Sequence, residues 1–330
     1  MKASSRQPAE ASFFEGEWDS HRLHATDRDW PETNCYVDLW VELLHAHRLE
    51  VEAMLGFTVA IDYEFDQWTF FKPRPSELYA LYGVEVEELT IWKDLEEHVD
   101  CQVRAGRVPL VEVDAFHLPD TAGIDYQEGH SKTTIAVDAI DPPTERLHYL
   151  HNRGGFVLEG ADYRGVLRID PVPVTHDLTP FVEIAKFDRV VPREPKATRE
   201  IARELLRGHL TRVPRENPIE CYAAVVMSDL EALFGRAEDR FDPYAFASIR
   251  QCGAGFAFAA DHVRWLGGDA GPWSEAADRF ARISALASRL VLKMARIAHS
   301  SRPRDLSQSF EEMAEHWSRG MSALASAVEE

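Results

Sequence analysis

Cysteine is scarce in this 330-residue sequence, and long apolar runs are missing from it. The four cysteines lie far apart and form no C-x-x-C pair, which argues against a zinc site built on cysteines. No apolar run approaches the roughly 20 residues that a helix needs to cross a bilayer. The polar start of the chain, residues 1–20, lacks the basic end and apolar middle of a signal peptide. We therefore expect a cytoplasmic protein, without membrane contact, whose cysteines are reduced.

Positive charge is also in short supply. The chain has 36 Lys and Arg against 56 Asp and Glu, a formal net charge of −20. Such a chain repels nucleic acid, because phosphate binding needs clustered cations. Two segments differ: residues 186–215 hold nine Lys and Arg against four acids, and residues 278–304 hold seven against one. These segments indicate either a local anionic partner or pairing with acidic surface elsewhere in the chain.

The hydrophobic pattern predicts an α+β domain followed by a helical one. Four helix-like segments come first, at 35–49, 51–60, 75–82 and 94–105. Four strand-like segments follow, at 108–113, 133–140, 146–151 and 181–187. Five more helices are predicted, at 197–210, 218–234, 244–266, 275–298 and 305–328. Helices followed by an antiparallel sheet are typical of the α+β class, and we place the domains at 1–192 and 193–330.

Cys35 stands at the start of a predicted helix that is apolar around most of its circumference. Thr33 or Asn34 precedes it as a helix cap. A thiol at this position feels the positive end of the helix dipole, which favours the nucleophilic thiolate. The alternative is that Cys35 is simply a small buried residue, as most free cysteines are.

His130 and Asn152 are the predicted partners of Cys35. His130 follows Gly129 and comes just before the strand at 133–140, while Asn152 follows the next strand. The start of one antiparallel strand lies beside the end of its neighbour. Asn152 is therefore placed to orient the His130 ring, as the third member of a catalytic triad does. The alternative is that His130 is a loop residue and Asn152 a turn former.

This order of residues resembles papain-like cysteine enzymes of the bacteriocin-leader peptidase type. The segment Gly106-Arg-Val-Pro-Leu-Val-Glu-Val-Asp114 is similar to their G-(R/K)-P step, which leads into a hydrophobic strand before the histidine. Gly129-His130 matches their Gly-His, and Asn152 takes the place of their usual Asp. The blocks Trp30–Trp40 and Asp66–Phe71 resemble a bacterial family of unassigned function that is similar to the N-terminal domain of the butirosin side-chain acyltransferase.

The resemblance implies a papain-like domain that transfers acyl groups. Cys35 would take an acyl or aminoacyl group from the phosphopantetheine thioester of a carrier protein and pass it to a small amine. His130 would be the general base and then the general acid, and Asn152 would hold its ring. The partners implied are the carrier protein and the amine; no cofactor is bound, because the carrier brings the phosphopantetheine.

The chain differs from the leader peptidases at the expected oxyanion hole. Leader peptidases carry a donor Gln about six residues before the cysteine, where this chain has Asp29, and an ionised carboxylate cannot donate. Asn34 and Gln67 are the replacement candidates, beside the Cys35 backbone N–H. The change weakens the case for proteolysis more than that for acyl transfer, because a thioester is already activated.

An acidic group with one histidine lies between the predicted strands: Glu112, Asp114, His117, Asp120 and Asp125. We favour a solvated or substrate-facing loop, with Asp114 as the substrate candidate, over a hard-cation or zinc site.

The basic segments are candidates for docking the carrier protein. Arg199, Arg203 and Arg207 recur every four residues on one predicted helix, and Arg289 and Lys293 share that spacing on another. Two other functions remain open at this point. One is a peptidase or amidase on the same fold, with water as acceptor, and the other is an adaptor that binds a carrier protein without catalysis.

Overall fold

The computed structural model describes residues 18–170 and 179–329. Its strands are β1 (Tyr63–Glu64), β2 (Gln67–Trp68), β3 (Glu85–Glu88), β4 (Arg107–Asp114), β5 (Lys132–Asp141), β6 (Arg146–His151), β7 (Gly154–Glu159) and β8 (Val182–Lys186). Its α-helices are α1 (Cys35–Ala46), α2 (Pro75–Tyr82), α3 (Leu95–Arg104), α4 (Gly160–Val166), α5 (Pro195–Leu210), α6 (Pro218–Ala232), α7 (Ala237–Ala245), α8 (Gln251–Gly267), α9 (Gly271–Ser300) and α10 (Ser307–Glu329). The longest 3₁₀ segment is Val51–Ala60, and a π-helical turn spans Phe246–Arg250. Within the described ranges, no helix is both long and apolar enough to cross a membrane.

The chain forms two compact units, and the predicted α+β class is confirmed. The first unit contains the described residues up to Ala25, together with Asn34–Leu49 and Arg74–Pro192. The second contains Thr26–Thr33, Glu50–Pro73 and the chain from Arg193 onward. The second unit therefore takes two segments that lie before residue 193, which a division of the chain at a single point cannot represent.

The first unit is built on a six-stranded antiparallel sheet. Its strand order is β3-β8-β4-β5-β6-β7. The four predicted strands are present within one residue at each end, whereas the sequence does not predict β3 and β7. For β7 the reason is that Gly154-Gly155 indicates the end of a strand. In the structure the Phe156 ring occupies the space beside Gly154 that a side chain would fill, so the two glycines are tolerated within the ladder.

The two faces of the sheet are covered by different helices. On one face, Val111, Ile135 and Tyr149 belong to a hydrophobic core that also includes residues of α3 and α4. Side chains alternate along a strand, so Leu110 and its partner Ala136 point to the opposite face. The second face is therefore free to receive α1, which packs on β5 and β6.

Tyr36 ties α1 to this second face. Its hydroxyl donates to Glu183 Oε2 at 2.7 Å, and Glu183 pairs with Leu110 in the β4–β8 register. Directly paired residues share a face, which places α1 on the Leu110 side of the sheet. Burial and the nearby Glu183 carboxylate raise the pKa of Tyr36, so its hydroxyl remains a donor at neutral pH. Cys35, the neighbour of Tyr36, thus belongs to the helix end that this bond holds.

Two acidic side chains of α1 are buried and are paired with a histidine. Asp38 and Glu42 are 1% and 0% exposed, and they lie one turn apart on the helix. His24 Nε2 lies 3.3 Å from Asp38 Oδ1, and His24 Nδ1 donates to Glu42 Oε1. Glu42 also accepts from the indole N–H of Trp18 at 2.9 Å. Buried carboxylates are costly unless paired, so this cluster is a condition for burying α1.

The second unit is helical apart from the two-stranded hairpin of β1 and β2. The long helix α9 packs against both α8 and α10. The single helix predicted at 244–266 is wrong: the structure has the end of α7, the π-helical turn and then α8. Pro243 lies inside α7 and has no backbone N–H, and the π-helical turn follows it directly.

The His24 cluster predicts a loss of stability in mild alkali. Burial alone lowers the pKa of His24, but its hydrogen bonds and charge interactions with Asp38 and Glu42 outweigh that effect and raise the pKa to about 9. A raised pKa stabilises the fold below the ordinary value of about 6.5, and that contribution is lost as the pH rises through about 9. It is on the order of 3 kcal/mol. Urea unfolding followed by circular dichroism at pH 7 and pH 10 should show the loss.

His24→Gln should lower the stability at pH 7 and flatten its decline towards pH 10, because no imidazolium is left to titrate. His45→Gln, a change at a partly exposed histidine of α1, should leave the decline as in the wild type. An equally steep decline in His24→Gln would show that other groups cause it.

Candidate active site

Cys35 is the first residue of α1 and is partly exposed. Asn34 caps the helix: its side-chain Oδ1 accepts from the Val37 N–H at 3.0 Å. The backbone N–H groups of the first helical turn have no partner within a helix and point beyond its end. The capping bond uses the oxygen of Asn34, so any part that this residue plays in an oxyanion hole falls to its amide group.

His130 is held in one orientation but remains open to solvent. Its Nδ1 lies 2.7 Å from Asp114 Oδ2, and its ring stacks on Phe116 at 4.6 Å between centroids. The His130 side chain is 58% exposed. Because a carboxylate only accepts hydrogen bonds, Nδ1 carries the proton, which leaves Nε2 as the basic atom. This is the hydrogen-bond arrangement of a general base with its orienting acid.

Strand register brings Asp114 and His130 together across 16 residues. Asp114 is the last residue of β4 and pairs with Lys132, the first residue of β5. The loop between them closes on itself, since the Ala115 N–H donates to the Ser131 carbonyl at 2.9 Å. Asp114 also accepts from the Phe116 N–H at 3.1 Å, so its carboxylate is held at both oxygens.

Asp114 belongs to the face of the sheet that carries α1. It lies four residues after Leu110 on β4, and side chains two apart along a strand share a face. The orienting acid of His130, and the helix that begins with Cys35, therefore lie on the same side of the sheet.

The hydrogen-bond partner of His130 Nδ1 is Asp114 and not Asn152. The triad assignment of Asn152 thus needs correction. Asn152 is in the two-residue turn between β6 and β7, with a φ of 47°. Asn tolerates this left-handed conformation better than most residues, which gives it a structural reason to be there. The sequence predicts Asp114 only as a substrate candidate. The signal for its pairing with His130 is that Asp114 ends one strand opposite the start of the next.

A second histidine–aspartate pair lies on the other face. His151 Nδ1 is 2.6 Å from Asp120 Oδ2, and the Thr133 hydroxyl is 2.7 Å from His151 Nε2. Tyr149, two residues before His151, belongs to the α3–α4 core and also donates to Asp120. His151 is 2% exposed and both of its ring nitrogens have partners. It is therefore a structural residue, and His130 is the candidate base.

The acidic group between the strands does not assemble into one site. Glu112 pairs with Lys132 at 3.2 Å, and Asp125 accepts from the Ser131 hydroxyl at 2.7 Å. Asp114 and Asp120 serve histidines on opposite faces of the sheet. Across residues 18–170 and 179–329, no group of three or more side chains is arranged to hold a metal ion.

Gln67, the other oxyanion candidate, belongs to the second unit. It is exposed on β2 and pairs with Glu64 across the hairpin. The first unit supplies Cys35, Asn34, Asp114, His130 and Asn152. The geometry of the dyad therefore involves no residue of the second unit.

The predicted docking face on α5 is partly used for packing. The Arg199 guanidinium lies 5.3 Å from the Trp265 ring centroid, and that of Arg203 lies 5.5 Å from the Trp273 ring centroid. Both contacts are cation–π interactions within the second unit. Arg207 pairs with Glu204 on the same helix at 3.0 Å. Reversing these charges would disturb the packing of α5 as well as any binding of a partner to it.

The basic positions on α9 are exposed on its surface. Arg289 and Lys293 are both exposed and lie one turn apart. Lys293 Nζ donates to the Ser309 hydroxyl of α10 at 3.0 Å. The α9 pair is thus a better test of docking than the α5 arginines.

Comparison with protein families matches almost the whole chain. The model described as the DUF1839 N-terminal domain matches residues 19–187, and that described as the DUF1839 C-terminal domain matches residues 195–326. No curated protein matches the chain.

The four thiols offer a test of the nucleophile. Cys101 is exposed and Cys252 is buried, and burial raises the pKa of Cys252. Burial and Glu216 also raise the pKa of Cys221. If Cys35 is the nucleophile, we expect iodoacetamide at pH 7 to modify it roughly tenfold faster than Cys101, because thiols at helix N-termini are typically more reactive than ordinary exposed ones. Peptide mapping of a time course measures the rates.

Urea-unfolded protein is the control, because all four thiols should then react at similar rates. If Cys101 reacts first in the folded protein, exposure alone decides reactivity and Cys35 is not an activated nucleophile.

Proposed function

The chain belongs to the DUF1839 family through both of its domains, and we propose that it is a papain-like, cysteine-dependent acyltransferase. It would move an acyl or aminoacyl group from the phosphopantetheine thioester of a carrier protein to an amine. The observation that carries the proposal is the His130–Asp114 pair, which is exposed on the face of the sheet that also holds α1 and Cys35.

Support for a papain-like arrangement comes from the elements that hold these residues. A papain-like site pairs a nucleophile at the N-terminus of a buried helix with a histidine carried by an antiparallel sheet. Here Cys35 begins α1 and His130 precedes β5, and each residue has a separate structural anchor. Cys35 is anchored through the Asn34 cap and the Tyr36–Glu183 bond, and His130 through Asp114 and Phe116.

In the first half-reaction, the Cys35 thiol passes its proton to His130 Nε2 and its sulfur attacks the thioester carbonyl carbon. The bond from that carbon to the phosphopantetheine sulfur breaks, and the leaving thiolate takes a proton from His130. The oxygen that becomes negative in the tetrahedral intermediate needs donors, and the backbone N–H groups at the start of α1 supply them. The product is an acyl group on Cys35 and a free phosphopantetheine thiol.

In the second half-reaction, an amine attacks the acyl-Cys35 carbonyl. His130 Nε2 takes the proton that the amine loses, and Asp114 stabilises the resulting imidazolium. The carbon–sulfur bond breaks, the amide leaves and the Cys35 thiolate is restored. Atoms and charges balance without a bound cofactor.

Hydrolysis is the second candidate function. The same dyad would activate water in place of the amine, so the chemistry at Cys35 is shared up to the acyl-enzyme. Asp29 stands where leader peptidases carry their donor Gln, which favours an activated thioester over a peptide bond as substrate. The released product, amide or acid, separates the two functions.

Three variants should rank His130, Asp114 and Asn152 by their effect on the acylation of Cys35. With aminoacyl N-acetylcysteamine thioesters as small substrates, His130→Ala should slow acyl-enzyme formation at least about a hundredfold, since general acid–base catalysis is lost. Asp114→Asn should slow it about tenfold or more, because the amide cannot stabilise the imidazolium. Asn152→Ala should remain near the wild-type rate. Intact-protein mass over time measures the acyl-enzyme.

Thr133→Val serves as the matched control, because it perturbs the buried His151 network on the opposite face of the sheet. Wild-type acylation by a folded His130→Ala protein would refute the dyad mechanism. A mass increase that persists in Cys35→Ser would locate the acyl group elsewhere.

Carrier docking on α9 makes a separate prediction. Arg289→Glu combined with Lys293→Glu should slow carrier-dependent acylation roughly three- to tenfold at low salt. The reason is that exposed charges mainly affect the rate at which two proteins associate. Acylation by the small thioester should stay unchanged. Physiological salt should reduce the difference, since screening acts over about 8–10 Å.

A double reversal outside the basic segments, Arg104→Glu with Arg146→Glu, is the matched control and should leave carrier-dependent rates as they are. An equal loss with the carrier and with the small thioester would mean that the α9 reversal damages the fold, and the docking role would then be abandoned.

A further inference from the structure

The helical unit contains a half-open cavity of about 740 Å³ between α6 and α10. Volumes of about 300–1,000 Å³ are typical of sites for small molecules. On α6 the lining residues include Glu220, Ala223 and Met227, which are spaced by three and four residues and therefore share one helix face. On α10 the lining residues recur with the same spacing from Ser307 to Arg319.

A polar clamp and small side chains explain why the space stays open. Asn217, the cap of α6, donates from Nδ2 to the Ala314 carbonyl of α10 at 2.9 Å, which joins the two helices at one end. Ala223 and Ala314 then face the cavity with side chains too short to fill it. The cavity thus results from the Asn217–Ala314 contact between the helices and from the small alanine side chains that face it.

The floor of the cavity is apolar. Phe310 is 3% exposed and its ring contacts that of Tyr222 edge-on at 5.4 Å, which fixes its position. Val226 and Leu306 are buried beside it, and Met227 adds a flexible thioether. An apolar ligand group placed here would lose contact with water without displacing any protein side chain.

The rim carries excess negative charge. Four carboxylates line it, those of Glu220, Asp305, Glu311 and Glu315, against the single guanidinium of Arg319. Arg319 is already paired with Glu315 at 2.6 Å. The hydrogen bonds from Ser307 hold the pKa of Asp305 below its usual range. Arg319 can neutralise one of the four carboxylates, so the rim has three negative charges in excess.

We propose that this cavity binds a small organic cation with an apolar body, such as an aryl-alkyl amine or guanidine. The apolar floor would take the body of the ligand, and the acidic rim would take its charge. A neutral ligand would gain nothing from the rim, and an anion would be repelled by it. The inference rests on α6 and α10 alone and does not depend on the chemistry at Cys35.

A matched set of probes tests both parts of this proposal. The set is 4-phenylbutylamine, the neutral 4-phenylbutanol, 4-phenylbutyrate and butylamine, the last of which carries the charge without the ring. Binding is followed through the ¹³C-labelled methionine methyl groups of the full chain, because Met227 lines the cavity while Met54 is buried elsewhere. We expect 4-phenylbutylamine to shift Met227 and not Met54, and to bind about tenfold more tightly than the alcohol.

Two variants separate the floor from the rim. Ala223→Phe fills the cavity and should abolish the response to 4-phenylbutylamine. Glu220→Gln with Glu311→Gln keeps the cavity but removes two of the three carboxylates that Arg319 does not neutralise, and it should bring the affinity for the amine most of the way down to that for the alcohol. Glu200→Gln, at an exposed carboxylate of α5 that does not line the cavity, is the control and should change nothing.

Several outcomes would overturn the proposal. Equal affinity for the amine, alcohol and carboxylate would mean that charge plays no part. Equal binding of butylamine and 4-phenylbutylamine would mean that the apolar floor plays none. A Met227 shift that survives Ala223→Phe in a folded protein would place the ligand outside the cavity, and a shift caused only by a basic peptide helix would assign the groove to a protein partner.

Discussion

The pairing of His24 with Asp38 and Glu42 is the interaction on which the position of Cys35 depends. α1 is buried on the sheet, and it carries two carboxylates that face no solvent. Without a cation they would have to be hydrated or protonated, and either change opposes burial. Cys35 lies three residues before Asp38, so the cluster holds the helix one turn away from the nucleophile. The same histidine that permits burial thereby limits the position of the candidate active site.

The candidate base is positioned by a different constraint, the register of an antiparallel pair. Asp114 and His130 lie at the two ends of a loop, and the antiparallel pairing of β4 with β5 brings these two ends together. Thr133 of β5 and His151 of β6 point to the opposite face, where both side chains are buried. The two histidine–aspartate pairs thus lie on opposite faces of the sheet, and the His130–Asp114 pair is the one on the face that α1 packs against. Exposure then separates the accessible His130 from the structural His151.

Much of this arrangement follows from patterns that are local in sequence. The helix start at Cys35, the strand that ends at His151 and the antiparallel neighbours around His130 were predicted because caps, glycines and β-branched residues signal them directly. The partner of His130 was not, because hydrogen bonding across 16 residues depends on side-chain direction within the ladder. The grouping of segments 26–33 and 50–73 with the second unit is likewise not visible in the sequence, since a helix signal states nothing about which core it joins. Arg199 and Arg203 show the same limit: their spacing predicted a shared face, but not the tryptophans beneath it.

A short bifunctional reagent tests whether Cys35 and His130 act on the same reacting atoms. 1,3-Dibromoacetone first alkylates a reactive thiol and then bridges it to a nucleophile within reach of its three-carbon chain. After digestion, we expect one dominant cross-linked peptide that joins Cys35 to His130, and we expect it to be absent from His130→Ala. If Cys35 is alkylated without forming a bridge, or is bridged to another residue in the wild type, Cys35 and His130 do not share a site.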